Sequence, residues 1–278
     1  MTNPQERQND VSAGYGLSEA VYSFGYSLRL KYSSFQPATM QWLLDNSSDL
    51  VAADTPSILS LGCGDGAFDI EIIEHIRKAK KRLQFSGLDF NATDLEHFRH
   101  LLSTRDKSLR NNVTLHYMKY DASSHLGERY DFIYMVHFLQ SFEDVLPVIR
   151  NALAHLKPDG RLLIIQQKRQ GIYELKQRFR DTLTNRKFHS SEEIKESLQE
   201  EDVAFSSHTI DTYFDISVMR RMSLDALLLM SFCFTDDLAV LDKRQQEEIR
   251  KAFLAYATTG TDGVPIIYEP MEALICQA

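Results

Sequence analysis

Only three cysteines occur in 278 residues, Cys63, Cys233 and Cys276, and none forms a Cys-x-x-Cys pair. That scarcity excludes a disulfide framework and a cysteine-based zinc site, and a reducing, cytoplasmic setting is expected. No apolar run approaches the about 20 residues that a bilayer span needs. The opening stretch MTNPQERQND has no apolar core of the signal-peptide kind, so neither secretion nor membrane insertion is expected. Basic residues are the minority, 31 against 39 acidic for a net charge of -8, which repels polyanions and makes nucleic acid a poor partner. The nine histidines contain no His-x-x-x-His pair, and no metal is expected. Ser60, Ser123 and Ser141 have no nucleophile-elbow context, which argues against a serine hydrolase.

With 43% hydrophobic and 25% charged residues, the chain has the composition of an ordinary globular protein, neither disordered nor fibrous. No internal repeat and no long linker divides it, and one domain over residues 1–278, acting as a monomer, is expected. Gly and Pro punctuation alternates strand candidates with helical periods. SILSL (Ser57 to Leu61) reads as a strand, Ala67 to Ala79 as a helix with Phe68, Ile70, Ile72, Ile73 and Ile76 on its apolar side, and Leu83 to Asp89 as a second strand. A helix over Asn91 to Ser103, a strand over Val113 to Asp121, a strand over Tyr130 to Val136, a helix over Asp144 to Leu156 and a strand over Arg161 to Ile165 follow. This alternation predicts a parallel sheet flanked by helices. Beyond Gln166 the pattern loosens into helices at Gly171 to Leu183, Ser190 to Glu200, Leu224 to Phe234 and Asp242 to Tyr256. Ser190 and Glu193 have capping-box spacing. Val203 to Ile216 has strand character, and Pro265 to Cys276 is expected to close the sheet antiparallel to it.

The chemistry concentrates in ILSLGCGDGAFD, Ile58 to Asp69. Gly62, Gly64 and Gly66 between a strand and a helix N-terminus let the backbone turn tightly and let a nucleotide-like ligand approach closely. Alone the loop is ambiguous, because Gly62, Gly64 and Ala67 also satisfy the dinucleotide pattern Gly-x-Gly-x-x-Ala, and a nicotinamide-dependent oxidoreductase stays open. Asp89 ends the second strand, where a carboxylate can accept both ribose hydroxyls of an adenosine cofactor. Asp121 and Ala122 follow the third strand, within reach of an adenine amino group, and the Tyr130 to Leu139 segment opens onto the same sheet edge. All four landmarks fall at the carboxyl ends of the strands, where open sheets hold their ligands.

Together, ILSLGCGDGAFD, GLDF, YDASS, YDFIYMVHFL and LKPDGRLLII resemble the core of the S-adenosylmethionine-dependent methyltransferases of the Rossmann-like class, over about Ile58 to Ile165. The resemblance implies a doubly wound, mostly parallel sheet with an antiparallel C-terminal strand, an N-terminal helical lid over residues 1–50 and substrate-side insertions after residue 165. It implies S-adenosylmethionine as cofactor, with S-adenosylhomocysteine as product. The cofactor would lie against Gly62, Cys63, Gly64, Gly66, Asp89, Phe90, Asp121, Ala122 and Val136. The flanking segments LRLKYSSFQPATMQWLLD and LLLMSFCF, with the C-terminal EALICQA, are similar to histamine N-methyltransferases. Where those enzymes hold the substrate amine and imidazole with Glu, Gln and Asn, this chain carries Gln36, His137 and Glu269. Gln140 and Ser141 stand near a pair of family tyrosines, and Tyr15, Tyr22 and Phe24 are candidate aromatic walls. A small-molecule substrate methylated on an amine or imidazole-type nitrogen is expected, with Tyr15, Tyr22, Gln36, His137, Gln140 and Glu269 around it. His137 and Glu269 are the candidate proton acceptors. A carboxylate, hydroxyl or carbon acceptor, and a catalytically silent binding module, are the alternatives.

Overall fold

The computed structural model describes residues 17–80, 82–105, 107–183 and 188–277. The described chain opens with two helices, α1 (Glu19–Tyr32) and α2 (Phe35–Leu50). The Ser18 hydroxyl caps α1 by accepting the Val21 amide, one of the donors that a helix start leaves unpaired. The alternating part then runs β1 (Ser57–Leu61), α3 (Ala67–Ala79), β2 (Gln84–Asp89), α4 (Ala92–Ser103), the short α5 (Lys107–Arg110), β3 (Val113–Tyr117), β4 (Tyr130–Val136), α6 (Leu146–Ala154) and β5 (Leu156–Gln167). The looser part comprises α7 (Ile172–Arg178), α8 (Ser191–Glu200), β6 (Phe205–Ile210), β7 (Tyr213–Asp215), α9 (Leu224–Phe234), α10 (Lys243–Tyr256), β8 (Thr258–Thr259), β9 (Pro265–Tyr268) and β10 (Met271–Gln277). The capping box that the spacing of Ser190 and Glu193 predicts is formed at the start of α8.

Seven strands form the main sheet in the order β3-β2-β1-β4-β5-β10-β6. Neighbours from β3 to β5 are parallel, while β10 runs antiparallel to both β5 and β6. This is the Rossmann-like methyltransferase arrangement that the sequence implies, with the C-terminal strand inserted antiparallel beside the outermost strand. Side chains of β1 alternate between two cores. Ile58 packs with Ile70, Phe85 and Phe98 on one face, and Leu59 and Leu61 pack with Ile133, Met135 and Ile164 on the other. A strand covered on both faces is mostly apolar, and the one fully buried polar side chain of β1, Ser60, has Asp69 as its hydrogen-bond partner. Each fully buried Ile or Phe of these layers contributes about 1.5–3 kcal/mol.

Several expected boundaries move. The third strand ends at Tyr117 rather than Asp121, so Asp121 lies in a turn. The two long C-terminal strand candidates are each split. Val203 to Ile216 becomes β6 and β7, and Pro265 to Cys276 becomes β9 and β10. Pro270 has no N–H for a ladder, and beside it the Glu269 amide donates to the Thr212 carbonyl at 2.9 Å. There the paired chains cross from the main sheet into a small sheet of order β7-β9-β8. That sheet packs with α7, α9 and α10 into a third core containing Ile172, Phe214, Leu229, Phe234, Phe253 and Ile267. Helix α6 starts two residues later than the spacing suggests, with Pro147 in its first turn, and α7 is shorter than expected.

Candidate functional site

After β1 the backbone passes through Gly62, Gly64 and Gly66 at φ of +79°, +53° and +75°, a region that costs an L-residue about 1–2 kcal/mol. At Gly66 a Cβ would stand 2.1 Å from the Phe98 ring, whereas at Gly64 it would meet nothing within 4 Å. The constraint at Gly66 is packing, whereas Gly64 borders open space on the cavity wall. The Gly62 and Cys63 amides donate to the Leu88 carbonyl at 2.8 and 3.1 Å, clamping the loop to the end of β2. The Gly64 amide donates to Asp89 Oδ2 at 2.9 Å, and the Asn91 amide to Asp89 Oδ1 at 2.8 Å. A carboxylate offers about four acceptor positions, so the buried Asp89 keeps acceptor capacity for a ligand. Burial, with Asp69 and Asp89 nearby, pushes the Cys63 thiol far above its ordinary range, and it stays a neutral packing group.

A cavity of about 950 Å³ opens outside the carboxyl ends of β1 and β4, where the strand order reverses. Ligand pockets span about 300–1,000 Å³, and this one lies at the upper end of that range. Gly62, Cys63, Gly64, Asp89, Phe90 and Val136 line one part of it. Tyr22, Gln36, His137, Gln140 and Glu269 line the same cavity. Gly66 stays behind the loop against Phe98. Asp121 and Ala122 do not line it; Asp121 is exposed, and its Oδ1 accepts from the Ser123 amide and hydroxyl at 2.8 and 2.7 Å. Met118, Lys119 and Tyr120 bound the cavity in their place, because the strand ends early. Tyr15 falls outside the described residues. Phe24 is 64% exposed and faces away from the cavity wall.

The polar groups of the wall differ in what they can do. His137 holds a left-handed φ of +51°, its ring meets Phe35 edge-on at 4.4 Å between centroids, and its amide donates to the Ile165 carbonyl. Burial and the nearby Arg29 cation push its pKa down to about 3, so the imidazole is neutral near pH 7. Glu269 is 2% exposed. One of its oxygens pairs with Arg29 Nη2 and the other accepts Gln167 Nε2 at 2.6 Å. Burial raises its pKa while Arg29 and Gln167 oppose that rise. Asp69, under the loop at the start of α3, is 2% exposed and accepts the Tyr134 hydroxyl. Burial lifts its pKa to about 7 against that hydrogen bond and one from Ser60.

Arg29, Gln167 and Phe232 also line the cavity, and sequence reasoning passes over all three. Arg29 stands in an amphipathic helix where a lone arginine is unremarkable. Gln167 left a readable signal, since Gln166 and Gln167 end an apolar strand and both are buried, which demands partners. The stripe Leu227 to Met230 reads as core, yet the next turn of the same helix brings Phe232 to the cavity, where it meets Tyr22 and Tyr26 at 5.4 and 5.9 Å.

The sequence profile described as "Methyltransferase domain" matches residues 32–204. Curated protein sequences give no match. Among solved structures, the YcgJ protein of Bacillus subtilis is similar with a TM-score of 0.57 at 13% identity, covering 86% of this chain and 97% of its own. A protein assigned as a sarcosine dimethylglycine methyltransferase of Galdieria sulphuraria is similar with a TM-score of 0.54 at 15% identity, covering 86% of this chain and 84% of its own. A protein of Bacillus halodurans assigned as a methyltransferase has a TM-score of 0.57 at 13% identity, covering 84% and 97%. At these identities the likeness is one of fold.

Proposed function

Since the chain belongs to the methyltransferase domain family, it is an S-adenosylmethionine-dependent methyltransferase, and we propose that its acceptor is a small molecule methylated on an uncharged nitrogen. The family sets aside the oxidoreductase alternative. The loop half of the cavity suits this cofactor: Gly64 faces open space, Asp89 keeps acceptor capacity, and among the described residues the buried Tyr120 hydroxyl has no hydrogen-bond partner. In this reading the loop backbone at Gly62 to Gly64, Asp89, Phe90 and Val136 hold the cofactor. Bound there, S-adenosylmethionine supplies a methyl group already activated on a sulfonium sulfur.

The protein's task is then to orient the acceptor and exclude water, which can contribute several kcal/mol. The neutral His137, in the same cavity as the glycine loop, carries the proposal. It accepts a hydrogen bond from the acceptor's N–H and so turns the nitrogen lone pair toward the cofactor. A side chain with so low a pKa takes a proton poorly, so its role is orientation. Glu269, with both oxygens engaged, acts by fixing Arg29 rather than by taking a proton. Tyr22, Tyr26, Phe35 and Phe232 offer a flat, apolar body its walls, and Gln36 and Gln140 offer polar contacts at their rim. The similarity of the flanking segments to histamine N-methyltransferases supports a nitrogen acceptor. Arg29 disfavours an ammonium beside it and favours the neutral amine that methyl transfer requires. Helices α1 and α2 are proposed to cover the pocket, and the three unpaired buried cysteines suit a reducing cytoplasm.

A second reading, an oxygen acceptor, draws support from Arg29, whose Nη1 has no hydrogen-bond partner among the described residues and can donate to a hydroxyl oxygen. Incubation with methyl-labelled S-adenosylmethionine and a panel of imidazole amines, other biogenic amines, amino acids, phenols and small carboxylates tests both, with products read by mass spectrometry. Label on a nitrogen supports the first reading. Label confined to oxygen replaces it with the second.

A further inference from the structure

Arg29 is 9% exposed, and its donors are unequally used. Nη2 pairs with Glu269, and the guanidinium carbon stands 4.3 Å from the centre of the Phe214 ring. Among the described residues, Nη1 is buried without any hydrogen-bond partner. Arg29 belongs to the cavity wall together with His137, Gln167 and Cys233. Leaving a donor of a charged group unpaired in the interior costs more than leaving a neutral one unpaired, and native proteins pair the great majority of such groups. An orphan donor in a ligand cavity is therefore a place for a ligand atom.

We propose that Arg29 is the specificity-determining contact for the methyl acceptor, binding through Nη1 an uncharged carbonyl or hydroxyl oxygen of that molecule. The inference rests on the methyl-transfer reading and adds the oxygen that the substrate must carry. Charge balance selects the class. Glu269 already neutralises Arg29, so a substrate carboxylate would be a second anion on one guanidinium in a buried site, at a desolvation cost that one cation does not offset. A substrate ammonium at this point would meet the guanidinium directly. A neutral oxygen satisfies Nη1 and adds no charge. The neighbouring Gln167 Nε2 already donates to Glu269 Oε1 at 2.6 Å and to the Gln170 carbonyl at 3.5 Å, which uses both of its N–H groups.

Benzamide, benzoate and benzylamine share a ring and differ at the group presented to Arg29. Their binding to the enzyme saturated with S-adenosylhomocysteine is measured by ligand-observed NMR titration, with calorimetry of S-adenosylhomocysteine on each protein as reference. The comparison protein is the double variant Arg29→Met/Glu269→Met, which removes both charges and keeps the apolar packing where the single variant leaves Glu269 buried and unpaired. Benzamide is expected to bind wild type at least tenfold more tightly than the two charged probes. The double variant is expected to lose that affinity at least tenfold while holding S-adenosylhomocysteine within threefold. No preference for benzamide in wild type, or full retention of its affinity in the double variant, overturns the assignment of Arg29. Absent S-adenosylhomocysteine binding by wild type instead overturns the methyl-transfer reading on which it stands.

Discussion

Asp89 and Gly64 lie 25 residues apart in the chain, and the carboxylate of the first accepts the amide of the second at 2.9 Å. With its other oxygen on the Asn91 amide at 2.8 Å, one side chain fixes both the glycine loop and the start of α4. Asp89→Asn replaces one acceptor oxygen by a donor that faces a backbone N–H. Calorimetry is expected to give at least tenfold weaker S-adenosylhomocysteine binding, and denaturant unfolding a loss of about 1–2 kcal/mol, in the range for a buried group left unsatisfied. Unchanged cofactor affinity would remove Asp89 from the cofactor site.

The glycines of the loop separate fold from function. Gly66→Ala drives a Cβ into the Phe98 ring at a positive φ and is expected to cost about 2–4 kcal/mol of stability from strain and overpacking. Gly64→Ala meets no atom of the described residues within 4 Å, so about 1–2 kcal/mol of backbone strain is the structural cost expected. Its Cβ nevertheless enters the space offered to the ligand. Thermal unfolding and cofactor titration of the pair should rank them in opposite orders.

Asp69 makes folding stability depend on pH. Its carboxyl titrates near 7 in the folded protein and near 4 when unfolded, so between these values the native state binds the extra proton. Stability from this group is full below about pH 4 and falls as pH rises toward 7, each pKa unit being worth about 1.4 kcal/mol. Asp69→Asn keeps an acceptor for the Tyr134 hydroxyl and removes the titration. Its unfolding free energy, compared with wild type from pH 5 to 8, is expected to gain on wild type as pH rises. A constant difference across that range would rule the assignment out.

His137 is expected to matter for turnover more than for cofactor binding. His137→Ala should lower kcat at least tenfold and leave S-adenosylhomocysteine affinity within threefold, while His137→Asn keeps a residue that tolerates the left-handed backbone and tests whether strain alone is responsible. Equal losses in kcat and cofactor affinity would make His137 a packing residue.

The buried ion pair offers a contrast of single and double changes. Arg29→Met strands the Glu269 carboxylate and should destabilise by about 3–5 kcal/mol, whereas removing both charges should be close to neutral. Chemical denaturation of the two variants reads this directly. Equal destabilisation would mean that Arg29 acts through packing on Phe214 and not through its charge.

Short-range chemistry was legible in the sequence by itself. The glycine loop, the aspartate ending β2, the apolar strands buried on both faces and the capping box of α8 all follow from backbone freedom, periodicity and spacing, which need no partner to be seen. The antiparallel direction of the closing strand was implied by the resemblance to the methyltransferases of the Rossmann-like class, and the apolar run of β10 marked its place. The tertiary structure alone decided how the closing segments divide, since the crossing at Glu269 depends on Thr212, 57 residues away. It also decided which polar side chains meet: Arg29 and Glu269 are 240 positions apart, and no pattern along the chain pairs them. Asp121 looked like a cofactor contact from its place after a strand, and the early end of β3 turned it to solvent. A glycine loop is written locally because its backbone conformation follows from its own residues, whereas the proposed acceptor pocket is assembled from α1, α9 and the strand ends, and exists only once those surfaces are packed together.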